Sequence, residues 1–348
     1  MEFKAFVSKR NSTFKIATGS SDVETNFIVR VRAGKDFGVG NANPSDVTHE
    51  TDDSVQKFLA LVPKRIIGTD EEDLEMLHKR LDAIAEGNTA AKAAVDIAVF
   101  DLLSKREGKP LYAYLGGTRD RMLTDMTIGI ESKETTVQKA LKHTKSGFKA
   151  LKLKVGLEIE GDIKRIEAVR DAVGPSVELR VDANQGYSAD QAIRFCEVMK
   201  TLDVAFVEQP VKAEDYAALK KVSEASEIAI MADECVRSAI DARKVAREGL
   251  ADLINIKLMK SAGIHEGHMI NRLAEATDIG TMVGCMGEIQ VSIAAGLHFA
   301  LSSKNVMYAD LDSHFNFVDD PSSGLTFEDG NLIAPDRPGL GIRTPMDD

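Results

Sequence analysis

Three acidic residues follow three successive apolar segments of the chain at similar spacing. Asp182, Glu208 and Asp233 each end such a segment, with intervals of 26 and 25 residues between them. Carboxylate oxygens without histidine form a ligand set that suits Mg²⁺ better than zinc. Because three neighbouring anions repel one another, a bound cation is the simplest way to hold them together. The spacing therefore predicts a magnesium site formed by Asp182, Glu208 and Asp233.

Lysines end two other apolar segments and could act as acid and base. Lys152 and Lys154 end the segment before Asp182, and Lys257 ends the segment after Asp233. In a closed barrel of eight strands, these two segments would lie opposite each other, on either side of the carboxylates. One lysine could then remove a proton from one face of a substrate and the other return one to the opposite face. This chemistry requires a lowered lysine pKa, which a nearby cation and partial burial would provide.

An alternative interpretation treats these lysines as surface residues. Lys149, Lys152 and Lys154 could form a solvated stripe paired with acidic neighbours. The alternation of a strand places Lys152 and Lys154 on one face, and that face could be the barrel interior or water. Lys260, which follows Lys257 by three residues, is expected to be solvated.

The apolar segments recur as regular strand-and-helix units. Successive polar ends at 182, 208, 233 and 257 are 26, 25 and 24 residues apart, which is the length of a strand with its crossover helix. Eight such units predict a (β/α)₈ barrel, whose active site lies at the carboxyl ends of the strands. A doubly wound sheet is the alternative, but its GxGxxG motif is absent. The segments are 126–130, 150–155, 177–182, 204–208, 228–233, 253–257, 281–285 and 306–310.

The first third of the chain has a different pattern. Short alternating runs predict strands at 3–7, 14–17 and 26–32, and the small polar residues 18–25 predict a surface loop. Thr69 and Glu72 have capping-box spacing before an apolar helical stripe, and an alanine-rich helix is predicted at 89–105. Strands followed by helices indicate an α+β module.

Composition limits the class of protein. Hydrophobic residues make up 43% of the chain, enough for a large core, and the net charge of −11 argues against a nucleic-acid or membrane partner. The three cysteines have neither an even number nor CxxC spacing, which argues against a disulfide framework. No signal peptide and no apolar stretch of membrane-spanning length is present, so we expect a soluble, cytoplasmic protein.

Taken together, these motifs resemble the muconate-lactonizing-enzyme subgroup of the enolase superfamily. The resemblance covers essentially the whole chain. It implies an α/β fold: a (β/α)₈ TIM-type barrel (121–314), an α+β N-terminal capping domain (1–120) whose 18–25 loop closes over the barrel mouth, and a C-terminal segment (315–348) that returns to the capping domain. The matching motifs are Lys152-Leu-Lys154, Asp182-Ala-Asn184, Glu208-Gln-Pro210, Ala232-Asp233-Glu234 and Asn255-Ile-Lys257-Leu-Met-Lys260.

Within that subgroup, the chain is most similar to the dipeptide epimerases. Their mark is an Asp-x-Asp motif after the eighth strand, which holds the α-ammonium group of the peptide and stands here as Asp310-Leu-Asp312. The resemblance also implies substrate contacts at Thr127 and around Cys285 and Met286. The supporting residues that it implies are Asn184, Glu234 and Glu288.

The resemblance further implies a reaction. One Mg²⁺ per subunit, held by the three acidic residues, would bind the peptide carboxylate while Lys152 adds positive charge. Lys154 and Lys257 would epimerise the C-terminal residue by two-base 1,1-proton transfer through an enediolate. The alternatives are a muconate cycloisomerase or an o-succinylbenzoate synthase, which have no use for Asp310 and Asp312, and a catalytically silent binding barrel.

The identity of the peptide is left open by the sequence. Relatives selective for a C-terminal glutamate use an arginine in the capping loop, and residues 18–25 contain none, so glutamate is not expected. Asp22 and Glu24, with Glu50, could favour a cationic side chain, although solvated loop residues are the more common explanation of such acids, and a hydrophobic side chain is equally open. Oligomers are common in this family, but nothing in the sequence fixes the number of subunits.

Overall fold

The computed structural model describes residues 1–347, and the capping domain forms its first part. A three-stranded antiparallel sheet in the order β1-β2-β3 packs against helices. Its elements are β1 (Glu2–Ile16), β2 (Gly19–Ala33), β3 (Asp36–Ala42), α1 (Asp52–Ile66), α2 (Leu74–Asp82), α3 (Thr89–Arg106) and α4 (Leu111–Tyr114).

The expected surface loop at 18–25 is wrong, because these residues belong to a long β-hairpin. β1 and β2 pair from Glu2 with Arg30 to Ile16 with Gly19, with an irregularity between Lys9 and Phe14. Cross-strand pairing supplies backbone partners to a segment whose small polar composition alone favours a loop. The hairpin tip still lies over the barrel mouth, since the Lys15 carbonyl accepts a hydrogen bond from Ile130 N at 2.8 Å.

The predictions for the helices of the capping domain are correct in one case and wrong in another. The helix expected at 89–105 is confirmed as α3, which is buried along most of its length. The capping box at Thr69 and Glu72 is wrong: α2 begins at Leu74, and the Asp73 carboxylate accepts a hydrogen bond from Met76 N. Strand β3 and helix α1 were not expected.

The barrel confirms the predicted fold class. Eight parallel strands follow one another in the order β5 to β12, and a bridge between Thr124 and Ala309 joins the two ends of the sheet. Met122, on the short strand β4 (Arg121–Leu123), precedes the barrel and is buried. The barrel strands are β5 (Asp125–Ile128), β6 (Ala150–Lys154), β7 (Glu178–Asp182), β8 (Val204–Glu208), β9 (Ala229–Ala232), β10 (Leu253–Lys257), β11 (Gly280–Gly284) and β12 (Val306–Asp310).

A helix follows each of the first seven barrel strands, and local signals fix the helix ends. Ser188 caps α7 in a capping box with Gln191, and Gly174, with φ 75°, ends α6. The helices are α5 (Lys133–Lys145), α6 (Ile159–Val173), α7 (Ala189–Thr201), α8 (Tyr216–Ala225), α9 (Ala239–Glu248), α10 (Ile264–Ala276) and α11 (Gln290–Leu301).

The interior of the barrel is apolar at its floor and charged at its mouth. Phe206, Met231, Leu253 and Met282 form a separate buried cluster inside the strands. Arg180, which is fully buried, contacts this cluster through the Phe206 ring and pairs with Asp125 at 2.8 Å. Above this packed floor, the carboxyl ends of the strands line a cavity that is open to a ligand.

The last part of the described chain contacts helices and strands of the first part again. After a 3₁₀ turn (Ser313–Asn316), β13 (Thr326–Glu328) pairs with β14 (Asn331–Ile333), and β14 pairs with β4. Leu111 N then donates to the Gly339 carbonyl, and Leu340 N to the Asp101 carboxylate at 2.7 Å. None of the helices within residues 1–347 has the length and apolar character needed to cross a membrane.

Asp96 links the capping domain to the barrel, and its contact with His78 should make stability depend on pH. His78 of α2 lies 2.8 Å from Asp96 of α3, and that carboxylate also accepts hydrogen bonds from Ile264 N and His265 N at the start of α10. Burial alone would lower the pKa of His78, but the hydrogen bond and charge of Asp96, helped by Asp82 and Glu266, outweigh it and raise the pKa.

We therefore expect protonated His78 to stabilise the fold. Because the folded pKa exceeds the unfolded value, the stabilisation is complete below pH 6.5 and is lost as pH rises through the folded pKa. Thermal unfolding of wild type and His78→Gln at several values between pH 5.5 and 8.5 would measure it. The difference in melting temperature should shrink with rising pH, and a constant difference would contradict the prediction.

Candidate active site

The barrel mouth and the capping hairpin enclose one cavity of about 340 Å³. Its lower wall is formed by strand ends that carry charged side chains, and its upper wall by the hairpin and by residues 43–47. Both lysines expected to act as acid and base, Lys154 and Lys257, line this cavity together with Asp310 and Asp312. The strand topology therefore places the sequence-derived candidates in one enclosed space.

The three predicted metal ligands come together on adjacent strands. Asp182 ends β7, Glu208 ends β8, and Asp233 directly follows β9, and all three are fully buried. One carboxylate oxygen from each lies within 4.8 Å of the others. Each carboxylate points inward because it occupies an inward position of the strand alternation.

Electrostatics and unpaired acceptors indicate that this cluster fits a cation. Burial, followed by the charge of Asp182, raises the pKa of Glu208 to about 8. Burial and the charge of Asp233 raise the pKa of Glu234 to about 7. Within residues 1–347, Glu234 Oε2 and Asn184 Oδ1 are buried acceptors without a hydrogen-bond donor. An all-oxygen donor set suits Mg²⁺.

The two candidate acid–base lysines flank the carboxylate cluster. Lys154 Nζ, on β6, lies 2.6 Å from Asp182 Oδ2, and Lys257 Nζ, on β10, lies 2.8 Å from Asp233 Oδ2. Burial lowers the pKa of Lys257, but the charges of Asp233 and Glu208 outweigh it and the pKa is raised. A cation shared by these carboxylates would act in the opposite direction.

Lys152 occupies the centre of the charged cluster. Its ammonium lies 2.6 Å from Glu208 Oε2, 2.7 Å from Asp310 Oδ2 and 3.4 Å from Asp182 Oδ2. Lys152 is fully buried, and Lys154 is 8% exposed. The alternative of a solvated stripe is therefore wrong for both residues, and Lys152 instead joins the carboxylate cluster to Asp310.

A second group of carboxylates, Asp310 and Asp312, lies at the end of β12 and contacts β5 and the residue that follows β11. Asp312 Oδ2 accepts a hydrogen bond from Thr127 N at 2.6 Å, and Thr127 Oγ1 donates to Asp310 Oδ1 at 3.2 Å. Cys285 Sγ lies 3.8 Å from Asp312 Oδ1. Burial and the charge of Asp310 raise the pKa of Asp312 to about 6. Two adjacent acids of this kind are complementary to an ammonium group.

The segment after β11 is held by the supporting acid expected there. Glu288 Oε1 accepts a hydrogen bond from Met286 N at 2.9 Å. Ser313 Oγ accepts a hydrogen bond from Glu288 N and donates one to the Glu288 carbonyl. Burial raises the pKa of Glu288 to about 7. The other two predicted supporting residues contact each other, since Asn184 Nδ2 donates to Glu234 Oε1 at 3.2 Å. These contacts fix the loops around both carboxylate groups.

Lys260 was expected to be solvated, and this expectation is wrong. Its side chain is 2% exposed, and its ammonium donates to the Asp233 carboxylate, to the Asp233 carbonyl and to the Asn255 carbonyl. A turn in which Lys260 N bonds the Lys257 carbonyl directs the side chain back into the barrel. The position of Lys260 three residues after the end of β10 does not by itself predict such a turn.

Replacement of Lys260 should be strongly destabilising. Lys260→Met removes one partner from a buried pair and leaves Asp233 Oδ1 and the Asp233 and Asn255 carbonyls without the hydrogen bonds of its ammonium, which costs about 3–5 kcal/mol. We expect a fall of several degrees in melting temperature, measured by differential scanning calorimetry. Lys221→Met is the matched control, because Lys221 is 58% exposed in its pair with Asp190 and should change stability little. Equal effects of the two replacements would contradict the buried role.

Two amides that support the metal ligands were also missed. Asn255 Nδ2 donates to Glu208 Oε1 at 2.7 Å, and Gln209 Oε1 accepts from Asp233 N at 2.9 Å. Asn255 could have been found, since it shares a strand face with Lys257 and must therefore point into the same barrel. Gln209 adopts a φ of 33°, a backbone conformation that its sequence does not predict.

Comparison with known proteins supports this architecture. The family described as mandelate racemase / muconate lactonizing enzyme, N-terminal domain, matches residues 2–116, and the family described as enolase C-terminal domain-like matches residues 135–348. A hydrophobic dipeptide epimerase of Enterococcus faecalis is 38% identical over 96% of each chain. An L-Ala-D/L-Glu epimerase of Clostridium acetobutylicum is 39% identical over 94% of each chain.

Solved structures show the same likeness. The dipeptide epimerase of Enterococcus faecalis, crystallised with Mg and the dipeptide L-Leu-L-Tyr, has a TM-score of 0.95 at 38% identity over 98% of each chain. Both domains of the present chain are thus matched in sequence and in three dimensions. The chain belongs, together with the dipeptide epimerases, to the mandelate racemase and muconate lactonizing enzyme family of the enolase superfamily.

Proposed function

We propose that the protein is a Mg²⁺-dependent dipeptide epimerase that inverts the C-terminal residue of its substrate. The observation that carries this proposal is the position of Asp310 and Asp312 beside the carboxylate cluster with its flanking lysines. An amino acid derivative has a carboxylate near the inverted carbon, and a dipeptide adds an ammonium group several bonds away. The metal-site carboxylates with their flanking lysines would face the carboxylate end of the dipeptide. Asp310 and Asp312 would face its ammonium end.

Asp182, Glu208 and Asp233 would hold the metal ion. Bound there, Mg²⁺ would supply positive charge that makes the hydrogen on the carbon next to a carboxylate more acidic. Lys152, which is buried between Glu208 and Asp310, contributes further positive charge in the same place. Lys152 and the three carboxylates are fully buried, so each of these charges acts in a medium of low dielectric constant.

Lys154 and Lys257 would transfer the protons. They approach from β6 and β10, with the three strands of the carboxylate cluster between them, so a carbon held over this cluster presents one face to each lysine. The neutral amine of one lysine removes the α-proton, and the ammonium of the other donates a proton to the opposite face. Reversing the two roles converts the product back to the substrate.

The contacts of the hairpin favour an uncharged C-terminal residue over a cationic one. Glu24 is paired with Arg10, Asp22 accepts a hydrogen bond from Thr13, and Glu50 caps α3 through Ala90 N at 2.8 Å. None of these three acids presents an unpaired charge to the cavity, so the basis for a cationic preference is removed. Apolar side chains of the hairpin and of the 43–47 segment instead line it: Phe14, Ile16, Pro44 and Val47.

Isotope exchange tests the proposal directly. The protein is incubated with Mg²⁺ and pooled L,L-dipeptides in D₂O, and mass spectrometry then measures incorporation at the α-carbon. We expect a gain of one mass unit, with chiral chromatography showing inversion at the C-terminal residue of peptides ending in apolar residues. Absence of exchange in every pool, with Mg²⁺ binding demonstrated by calorimetry, would refute the proposal and favour a cycloisomerase or a silent barrel.

A further inference from the structure

A buried ion pair from the capping hairpin lines the cavity. Arg10 Nη2 of β1 lies 2.8 Å from Glu24 Oε1 of β2, and the two side chains are 5% and 16% exposed. Ser21 Oγ also donates to Glu24 Oε1, at 2.6 Å. The guanidinium carbon of Arg10 lies 5.0 Å from the centre of the Phe14 ring and 5.3 Å from that of Phe317. These contacts hold both charges in fixed positions.

The pair lies over the cavity end that contains Asp310 and Asp312. Glu24 packs against Gly287, where even a methyl group would come within 2.4–2.6 Å of the Glu24 side chain. Gly287 follows Cys285, whose thiol contacts Asp312, and it is fixed by Asn26 and Asn43 of the capping domain. The amino-terminal residue of a bound dipeptide would therefore lie beneath the ion pair.

Both Glu24 and Arg10 could form further hydrogen bonds to a ligand. All contacts to Glu24 end on Oε1, and Arg10 uses only Nε and Nη2 towards it and Ser21. Within residues 1–347, Glu24 Oε2 and Arg10 Nη1 take part in no hydrogen bond. While the pair is intact its two charges cancel, and a charged ligand near it would meet attraction from one partner and repulsion from the other.

We propose that the Arg10–Glu24 pair is the specificity determinant for the amino-terminal residue of the peptide, and that it selects uncharged side chains there. This inference rests on the proposed epimerase function. Removal of Arg10 exposes a carboxylate that attracts a cationic side chain, and removal of the Glu24 charge exposes a guanidinium that attracts an acidic one. The preference for uncharged side chains thus depends on Arg10 and Glu24 neutralising each other's charge. Replacement of either residue should change that preference.

The experiment compares kcat/KM for α-proton exchange with L-Ala-L-Leu, L-Lys-L-Leu and L-Glu-L-Leu. Wild type should prefer the alanyl peptide. Arg10→Ala should raise the ratio of lysyl to alanyl peptide by about tenfold, and Glu24→Gln should raise the ratio of glutamyl to alanyl peptide by a similar factor. The exchanged variant Arg10→Glu/Glu24→Arg restores a pair of opposite charges and should restore the wild-type preference.

The control and the contrary results are well defined. Asp22→Asn removes a charge from the same strand, where Asp22 bonds Thr13 outside the cavity, and should leave all three ratios unchanged. Unchanged ratios in both Arg10→Ala and Glu24→Gln, or a wild-type preference for a charged amino-terminal residue, would overturn the inference while leaving the epimerase function intact. Absence of exchange with every peptide would instead refute the function itself.

Discussion

Lys257→Ala should lower kcat/KM for epimerisation by about 10³-fold or more, because a positioned acid–base group contributes about 10²–10⁴-fold and the two-lysine reaction needs both partners. Lys154→Ala should have the same effect. In D₂O, each variant should retain exchange of the α-proton from only one configuration, since the remaining lysine reaches only one face of the carbon. Proton NMR with each pure epimer would measure the two exchange rates separately.

Lys149→Ala is the matched control for both lysine variants. Lys149 lies one residue before β6, is 54% exposed and pairs with Asp329 at 2.9 Å, so its loss should leave kcat/KM within about twofold of wild type. If Lys257→Ala interconverted both epimers at a near wild-type rate, the assignment of two bases would be wrong. Identical stereochemical preference of the Lys154 and Lys257 variants would also contradict opposite placement.

Asp310→Asn should reduce kcat/KM for dipeptides by roughly 30-fold to several thousandfold. Loss of one partner from a buried charge pair costs about 2–5 kcal/mol, and each 1.4 kcal/mol corresponds to a factor of ten. The penalty should depend on the substrate ammonium. We therefore expect the preference for a free dipeptide over its N-acetylated form to fall in the variant, as measured by steady-state kinetics on both compounds.

Asp329→Asn serves as the control, since Asp329 is 78% exposed at the barrel exterior. Asp310 also contacts Lys152, so the overall rate can fall for two reasons, whereas the ratio of free to acetylated peptide isolates the ammonium contact. An unchanged ratio would show that Asp310 does not bind the ammonium group. That result would favour a substrate without an amine, such as that of a cycloisomerase.

The barrel was predictable because its signal is repeated. A near-constant interval between Asp182, Glu208, Asp233 and Lys257 fixes strand order, and strand order places the carboxyl ends of parallel strands at one mouth. Side chains two residues apart in a strand point to the same face, so Lys152 and Lys154 can be predicted to share one face of β6. The division of the chain at residues 120 and 314 stays a prediction.

The capping domain and the support of the site were predictable only in part. Residues 19–25 form a strand because β1 pairs with them across the hairpin, and such tertiary pairing leaves little trace in local composition. Lys260 is buried because a turn redirects it towards Asp233. The pair of Arg10 and Glu24 joins residues on facing strands whose register depends on an irregularity between Lys9 and Phe14. Each of these features depends on contacts that form only in the folded molecule.

The return of residues 339–346 to the capping domain has a consequence for protein synthesis. Asp101 bonds Leu340 across 239 residues of sequence, and Arg30 bonds the Met346 carbonyl across 316. A ribosome that has completed the capping domain must therefore still make the whole barrel before these partners emerge. Such distant contacts also slow folding, since a long chain must close before they form. The capping domain, although it is translated before the barrel, should thus acquire its full set of native contacts only after the barrel has been made.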